Sequence, residues 1–431
     1  MDAFLIHGPS RLAGTVPVSG AKNAALPALA AALLTAEPVG LESVPAVTDI
    51  RTMQKLLTGM GVSVTPSPGG GVSLSAHDIR STEAPYDLVR TMRASILVLG
   101  PLLSRFGEAW VSLPGGCAIG VRPVDLHLKA FEAMGARVAV EKGYIHAHVS
   151  RVGTLAGHLQ GTTIRFPTVT VTGTENVLLA ATLARGTTRI ENAALEPEVV
   201  DLARLLRRMG ASIAGEGTPT LVVEGVERLS GTGSTPHVVV PDRIEAGTYL
   251  AAGALTGGDV TVAGALAGDL LAFLSALAAA GATVETVETA GGGIRVRRDG
   301  PLLPVDLSTG PHPGFPTDLQ AQFMALMTQA SGTSRIAETI FENRFLHAVE
   351  LVRLGADIAV ERHTATVRGP SRLQGAPVTA SDLRASAALV LAGLVAEGET
   401  LVRRIYHLDR GYSGMEGKLT ALGARVERVS G

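Results

Sequence analysis

A six-fold internal repeat is the feature that most constrains how this 431-residue chain can fold. Each copy has a helix-like segment, then a glycine, then a short run of alternating apolar residues. The glycines recur 68 to 75 residues apart, at Gly61, Gly135, Gly210, Gly281, Gly355 and Gly423. Six copies therefore span the whole chain, and chance does not account for such regularity.

Each copy predicts the same local structure. An Ala- and Leu-rich helix comes first, for example over residues 174–183, followed by a Gly turn and a strand over 186–190. A polar loop leads to an amphipathic second helix, for example 198–209, which ends at the recurring glycine, and a further strand follows. The fold class predicted is therefore α/β, with three repeats around a common core in each of two domains.

Composition excludes several classes of protein. Hydrophobic residues make up 46% of the chain, and the net charge of −2 lacks the basic excess of a nucleic-acid-binding protein. The lone Cys117 can form neither an internal disulfide nor a Cys-rich zinc site, and the 11 histidines lack metal-ligand spacing. The longest apolar stretch, residues 24–36, is too short for a membrane span. With no signal-peptide pattern either, we expect a cytoplasmic protein without a protein-built metal site.

Polar residues cluster at two positions of the repeat, namely the start of the first helix and the loop before the second. The first cluster comprises Lys22, Asn23, Arg90, Arg93, Glu175, Asn176, Asp242, Arg243, Asp318, Asp382 and Arg384. The second comprises Cys117, Arg122, Glu196, Glu198, Asn343, Arg344, Asp409 and Arg410. Equivalent positions converge when repeats pack symmetrically, and helix N-termini pointing into one region supply a positive field. The pattern indicates an anion site on a nearly neutral protein.

Individual residues leave alternatives open. Lys22 suits a phosphate, but a solvated lysine at a helix start is the commoner reading. Cys117 lies in a Gly-rich segment, where Arg122 would favour a reactive thiolate, against the ordinary reading of a small buried side chain. Asp318 follows three prolines and suits a general base, or is simply an N-cap. Arg344, Arg384 and Arg410 suit carboxylate or phosphate, or form surface ion pairs.

Several long motifs resemble one enzyme family. They are SGAKNAALP, PYDLVRTMRAS, LPGGCAIGVRPVDLH, TGTENVLLAATLA, FPTDLQAQF, FENRFLH, SDLRASAALVLAG and IYHLDRGY. Together they are similar to the UDP-N-acetylglucosamine 1-carboxyvinyltransferases, over essentially the full chain. The resemblance implies two inside-out α/β barrels of three repeats each, with substrates between them. One domain would hold residues 22–240, and the other would combine 1–21 with 241–431.

The resemblance also implies a reaction, in which enolpyruvyl passes from phosphoenolpyruvate to the 3′-hydroxyl of UDP-N-acetylglucosamine, releasing phosphate. No cofactor is implied, and the partners are these two small molecules, with no nucleic acid and no membrane. Cys117 would be the acid and Asp318 the base, or the group that holds the hydroxyl. Lys22, Arg122 and Arg410 would clamp phosphoenolpyruvate, supported by Arg344 and Arg384. Contacts to the nucleotide sugar or phosphoenolpyruvate would come from Asn23, Arg93, Arg122, Pro123, Val124, Asp125, Leu126 and Ile340.

One departure from the family concerns residues 166–172, where some relatives carry a lysine near the uridine diphosphate and this chain has none. Since Cys117 is present, the resemblance also implies alkylation by the phosphoenolpyruvate mimic fosfomycin. Two other functions remain open. One is a transferase like 5-enolpyruvylshikimate-3-phosphate synthase, and the other is a catalytically silent paralogue that binds the nucleotide sugar.

Overall fold

The computed structural model describes residues 2–113, 124–150, 157–288 and 291–430, which divide into two compact units. The insert unit contains the described residues between 20 and 240, and the terminal unit contains 2–19 together with those from 241 onward. The chain thus passes between the units after Ser19 and again after Val240. The resemblance had placed these crossings at residues 21 and 240.

The described strands share a single pairing scheme. In chain order they are β1 (Asp2–Gly8), β2 (Ala13–Pro17), β3 (Val39–Glu42), β4 (Ser63–Ser67), β5 (Gly71–Ser75), β6 (Glu83–Ala84), β7 (Glu108–Ser112), β8 (Ala136–Glu141), β9 (Tyr144–Val149), β10 (Thr163–Arg165), β11 (Thr187–Glu191), β12 (Ser212–Ala214), β13 (Thr220–Glu224), β14 (His237–Val238), β15 (Asp259–Ala263), β16 (Thr283–Thr286), β17 (Gly293–Arg297), β18 (Leu307–Ser308), β19 (Gly332–Ala337), β20 (Asp357–Glu361), β21 (Thr364–Gly369), β22 (Pro377–Thr379), β23 (Gly398–Arg403) and β24 (Arg425–Ser430). They form four-stranded sheets, three in each unit as far as the described residues show. In every sheet one edge pair is parallel and the other two pairs are antiparallel, as in β10-β11-β13-β12.

The helices are of two kinds. In chain order they are α1 (Lys22–Ala31), α2 (Thr48–Met60), α3 (Tyr86–Val89), α4 (Leu99–Phe106), α5 (Asp125–Ala133), α6 (Val171–Ala181), α7 (Pro197–Arg208), α8 (Arg243–Leu255), α9 (Leu271–Ala279), α10 (Gln320–Met327), α11 (Leu346–Arg353), α12 (Leu383–Val395) and α13 (Met415–Ala421). The first helix of each repeat is buried almost all round: α1, α4 and α6 pack together in the insert unit, and α8, α10 and α12 in the terminal unit. The second helices are amphipathic, as in α7. Strands such as β9 alternate buried and partly buried residues, so one sheet face covers the buried helices.

The recurring glycine has a conformational reason. At all six positions, from Gly61 (φ 107°) to Gly423 (φ 96°), the residue follows the second helix of its repeat with positive φ. Side chains with a Cβ disfavour this left-handed conformation, which closes the end of a helix and satisfies its last carbonyls. The six-fold regularity of the sequence is therefore a regularity of helix endings. None of the helices in the described part of the chain has the length and apolarity needed to cross a membrane.

Candidate functional site

Asp318 is the centre of a charged cluster in the terminal unit. It lies in a 3₁₀ turn, Thr317–Leu319, that leads into α10. Arg344 Nη2 donates to Oδ1 at 2.6 Å, and Arg384 Nη2 donates to Oδ2 at 2.7 Å. The N-cap residues of this turn and of α10 are Pro316 and Leu319, so the N-cap reading of Asp318 is wrong.

Both arginines are buried, which makes their pairing with Asp318 energetically important. The side chains of Arg344 and Arg384 are 3% and 7% exposed, whereas that of Asp318 is 27% exposed. Burial opposes the charge of Arg384, but the nearby carboxylates of Asp318 and Asp242 outweigh it and raise the pKa of Arg384. Surface ion pairing, the alternative reading for these two arginines, is therefore wrong. Removing one member of a buried ion pair costs about 3–5 kcal/mol, because the remaining charge is left uncompensated.

The two arginines of the cluster are positioned at the starts of helices α11 and α12. Arg384 is in the first turn of α12, where Asp382 Oδ1 accepts the backbone N–H of Arg384 at 2.9 Å. Arg344 lies just before α11, with its guanidinium carbon 5.5 Å from the centroid of the Phe341 ring. His347, fully buried on α11, completes this side, and burial lowers the pKa of His347 to about 4. His347 is therefore neutral beside the arginine at physiological pH.

Glu338, which the sequence analysis missed, organises the neighbouring loop. Its buried carboxylate accepts the hydroxyls of Thr309 and Thr317 at 3.0 and 2.9 Å. It also accepts the backbone N–H groups of Ile340 at 2.8 Å and Phe341 at 3.2 Å. Thr317 directly precedes Asp318, and Ile340, a predicted contact residue, is 37% exposed. One carboxylate thus holds the turn of Asp318 and the loop of Ile340 together.

Arg410, the third arginine of the sequence prediction, ends a 3₁₀ helix, Ile405–Arg410, and is half-buried. Arg410 lies close enough to His407 to affect its ionisation. Burial is the main reason that the pKa of His407 is lowered, and the positive charge of Arg410 lowers this pKa further. Two residues further, the buried side chain of Tyr412 has its hydroxyl 3.4 Å from Arg384 Nη1. The segment of Arg410 is therefore anchored next to the Asp318 cluster, within the terminal unit.

Lys22 is a predicted cation of the insert unit that pairs with a buried carboxylate. It is the first residue of α1, and its Nζ lies 3.2 Å from Asp49 Oδ2 in the first turn of α2. The lysine side chain is 12% exposed and that of Asp49 is 5% exposed, so the reading of a solvated surface lysine is wrong. Asn23 beside it is exposed. The buried carboxylate of Asp49 therefore fixes the position of the Lys22 amine.

A second polar centre of the insert unit surrounds His127. Its Nδ1 is 3.0 Å from Asn176 Nδ2 on α6, and the Oδ1 of the same Asn176 accepts the N–H of Gly100 at 2.8 Å. Burial is the main reason that the pKa of His127 falls to about 4; the charge of Asp125 raises this pKa and that of Arg93 lowers it. Arg93 and Asp125, both predicted contact residues, thus flank one buried neutral imidazole. The sequence analysis noted Asn176 but gave His127 no role.

The rest of the predicted binding segment is described only in part. Val124 and Leu126 are partly buried and pack against the core of the insert unit. Cys117, Arg122 and Pro123 lie outside the described residues. Glu175, beside Asn176, is a further group that the prediction left without a role. Burial, together with the charges of Glu198 and Glu196, raises the pKa of Glu175 well above its ordinary value.

Comparison with known proteins gives a consistent result. Residues 6–419 match the family model described as EPSP synthase (3-phosphoshikimate 1-carboxyvinyltransferase). The UDP-N-acetylglucosamine 1-carboxyvinyltransferase of Magnetococcus marinus is 55% identical over 430 residues, and that of Cereibacter sphaeroides (strain ATCC 17029) is 56% identical over 433 residues; both alignments cover 100% of each chain.

Two solved structures extend the likeness to the fold. The enolpyruvyl transferase NikO from Streptomyces tendae aligns with a TM-score of 0.85 at 26% identity, over 100% of this chain and 99% of that one. EPSP synthase from Acinetobacter baumannii aligns with a TM-score of 0.74 at 18% identity, over 100% of both chains, which shows the shared fold alone.

Proposed function

The chain belongs to the family of UDP-N-acetylglucosamine 1-carboxyvinyltransferases, and we propose that it transfers enolpyruvyl from phosphoenolpyruvate to the 3′-hydroxyl of UDP-N-acetylglucosamine with release of phosphate. The observation that carries this proposal is the 55% identity with a named transferase over the whole of both chains. In the cell this reaction would take place in the cytoplasm, as the committed step towards peptidoglycan.

The reaction proceeds by addition and elimination. A proton is added to the methylene carbon C3 of phosphoenolpyruvate, while the sugar oxygen, losing its proton, forms a bond to C2. The resulting tetrahedral ketal loses a proton from C3 and breaks the bond between C2 and the phosphate oxygen, restoring the double bond. The protein therefore needs an acid for C3, a base for the 3′-hydroxyl, and cations for the phosphate and carboxylate.

Asp318 is the proposed base, or the group that holds the 3′-hydroxyl. Its carboxylate is partly exposed, so substrate can reach it, and its orientation is fixed from both sides by Arg344 and Arg384. These arginines support the anion site, and fixed charges of this kind stabilise developing negative charge without reorganising during the reaction. A group that must meet a single hydroxyl benefits from such fixed geometry.

The other roles follow the family pattern. Cys117 is the proposed acid, and Lys22, Arg122 and Arg410 are the proposed clamp for phosphoenolpyruvate. Asn23, Arg93, Ile340 and residues 122–126 are proposed to contact the nucleotide sugar or phosphoenolpyruvate. The buried pairing of Lys22 with Asp49 supports its assignment, since it holds the amine in a defined place.

For the architecture, we propose two domains, 22–240 and 1–21 with 241–431, each an inside-out barrel of three repeats. The three buried helices of each unit, covered by three sheets, support this arrangement.

The test is phosphate release by the purified full-length protein, with phosphoenolpyruvate and either UDP-N-acetylglucosamine or shikimate 3-phosphate as acceptor. We expect phosphate release with UDP-N-acetylglucosamine as acceptor but not with shikimate 3-phosphate. The product should be heavier than UDP-N-acetylglucosamine by one enolpyruvyl group. Asp318→Asn should abolish turnover, while the exposed control Asp357→Asn should not. Release with shikimate 3-phosphate instead, or binding of the nucleotide sugar without turnover, would replace this function by one of its two alternatives.

A further inference from the structure

The hydroxyl of Tyr412 is the point at which the three buried helices of the terminal unit meet. Its oxygen lies 2.9 Å from Thr248 Oγ1 on α8, 3.2 Å from Gln322 Nε2 on α10, and 3.4 Å from Arg384 Nη1 on α12. Tyr412 itself is 3% exposed, so these contacts form away from bulk water. No role has been assigned to this side chain above, although it lies within the motif IYHLDRGY.

The available protons decide the direction of these hydrogen bonds. The single hydroxyl proton of Thr248 is donated to the Ile244 carbonyl at 2.8 Å. Thr248 therefore accepts from Tyr412, and the Tyr412 oxygen in turn accepts from Arg384. The two protons of Gln322 Nε2 are shared among three acceptors, namely the Tyr412 oxygen, Thr248 Oγ1 and the Asp318 carbonyl. Burial is the main reason that the pKa of Tyr412 is raised, so the phenol keeps the proton that this scheme requires.

The same bonds lead to Asp318 by two routes. Arg384 donates to Tyr412 through Nη1 and to Asp318 Oδ2 through Nη2, at 3.4 and 2.7 Å. Gln322 Nε2 also donates to the backbone carbonyl of Asp318 at 3.1 Å. Because a guanidinium is planar and rigid, holding one of its terminal nitrogens fixes the direction of the other. The guanidinium carbon also lies 5.8 Å from the centroid of the Tyr412 ring.

We propose that Tyr412 is a positioning residue for enolpyruvyl transfer: its hydroxyl orients the guanidinium of Arg384, which in turn orients the carboxylate of Asp318. This role rests on the proposed function, in which Asp318 meets the 3′-hydroxyl of the sugar. Tyr412 acts through Arg384 and does not touch substrate. Removing its hydroxyl therefore leaves every catalytic group present but loosens the geometry of one, which affects turnover more than binding.

The test compares two variants that each remove one buried phenol oxygen from the terminal unit. Tyr412→Phe deletes the oxygen of the network. Tyr249→Phe, on α8 next to Thr248, deletes an oxygen that has no hydrogen-bond partner among the described residues. We expect Tyr412→Phe to lower kcat about tenfold with less than about twofold change in either KM, and Tyr249→Phe to match wild type. Equal kcat in the two variants would overturn the role of Tyr412.

A double-mutant cycle separates positioning from a merely structural contribution. If Tyr412 acts through Arg384, then Tyr412→Phe should have little further effect on kcat in an Arg384→Lys background, because the rigid fork is already lost. A tenfold loss in both backgrounds would mean that Tyr412 acts independently of Arg384, which contradicts the proposal. The urea midpoints of the two Phe variants, measured alongside, report any general loss of folding.

Two further outcomes are distinguishable. Should Tyr412→Phe fail to fold, Thr248→Val replaces it, because this variant removes the acceptor of the phenol proton with little change of shape. We then expect Thr248→Val to show the same loss of kcat in the wild-type background and no such loss in the Arg384→Lys background. An unchanged kcat in Thr248→Val would overturn the role in that case. If wild type releases no phosphate with phosphoenolpyruvate and UDP-N-acetylglucosamine, the proposed function fails, and this role fails with it.

Discussion

The buried neutral imidazole of His127 makes the stability of the insert unit depend on pH. The pKa of His127 is lowered from 6.5 to about 4 in the folded protein. Between these values the unfolded chain binds a proton that the folded chain does not, so stability is complete above pH 6.5 and falls as the pH falls towards 4. At about 1.36 kcal/mol per pKa unit, the full effect is about 3 kcal/mol. About 2 kcal/mol of it is lost between pH 7 and pH 5.

The perturbation is His127→Gln, which removes the titrating group but retains a polar side chain. Urea unfolding at pH 7 and pH 5 is followed by the fluorescence of Trp110, the single tryptophan, which lies on β7 of the same unit. Because His146 stacks on the Trp110 ring with centroids 3.8 Å apart, the native baseline is recorded at each pH. Wild type should lose about 2 kcal/mol more of its unfolding free energy than His127→Gln between the two pH values.

The matched control is His77→Gln, which removes an exposed histidine from the same unit. This variant should keep the pH dependence of wild type. The reasoning is refuted if wild type and His127→Gln lose the same unfolding free energy between pH 7 and pH 5 to within about 0.5 kcal/mol, the range of an ordinary surface substitution.

Two further predictions concern single side chains. Fosfomycin should add one covalent adduct to Cys117 and abolish activity, whereas Cys117→Asp should stay active and unlabelled, because Asp keeps an acidic group at this position but has no thiol to alkylate. Full activity of wild type after saturating exposure, with no mass adduct, would contradict this. Glu175→Gln should have a higher unfolding free energy than wild type at pH 8. Burial raises the pKa of Glu175, so the stability that this group contributes in its protonated form is lost as the pH rises from 4.5 towards the raised pKa. A lower unfolding free energy for the Gln variant at pH 8 would show instead that the buried carboxylate is stabilised in its charged form.

Much of the architecture was accessible from the sequence because it repeats. The glycine after each second helix marks a left-handed backbone position, and the buried first helices appear as Ala- and Leu-rich runs. Boundaries were less accurate: the helix expected at 174–183 is α6, Val171–Ala181, since Thr170 caps its start through the N–H of Gly173. The further strand expected in each repeat is a pair of antiparallel strands, as in β20 and β21.

Some residues of the candidate site could be predicted from the sequence, and others could not. Asp318, Arg344 and Arg384 could be found because motifs carry them, and the structure brings these three together. Glu338 and His127 could not be given roles, because their importance comes from which groups face them after folding. Nothing in the letters around Glu338 indicates that four donors from three segments converge on one carboxylate. Tertiary hydrogen bonds of this kind have no local sequence period.

The pairing of β1 has a consequence for the order in which the protein can be made. Its two neighbours in the sheet are β23 and β24, near the other end of the chain, while the insert unit draws all its described strands from residues 20–240. At a synthesis rate of about 5–20 residues per second, β1 leaves the ribosome roughly 20 to 80 s before β24 exists. Once residue 240 has been made, the insert unit has its whole sequence available, whereas β1 still waits with both edges unpaired until β23 and β24 are made. During translation the terminal unit is thus necessarily the last to close.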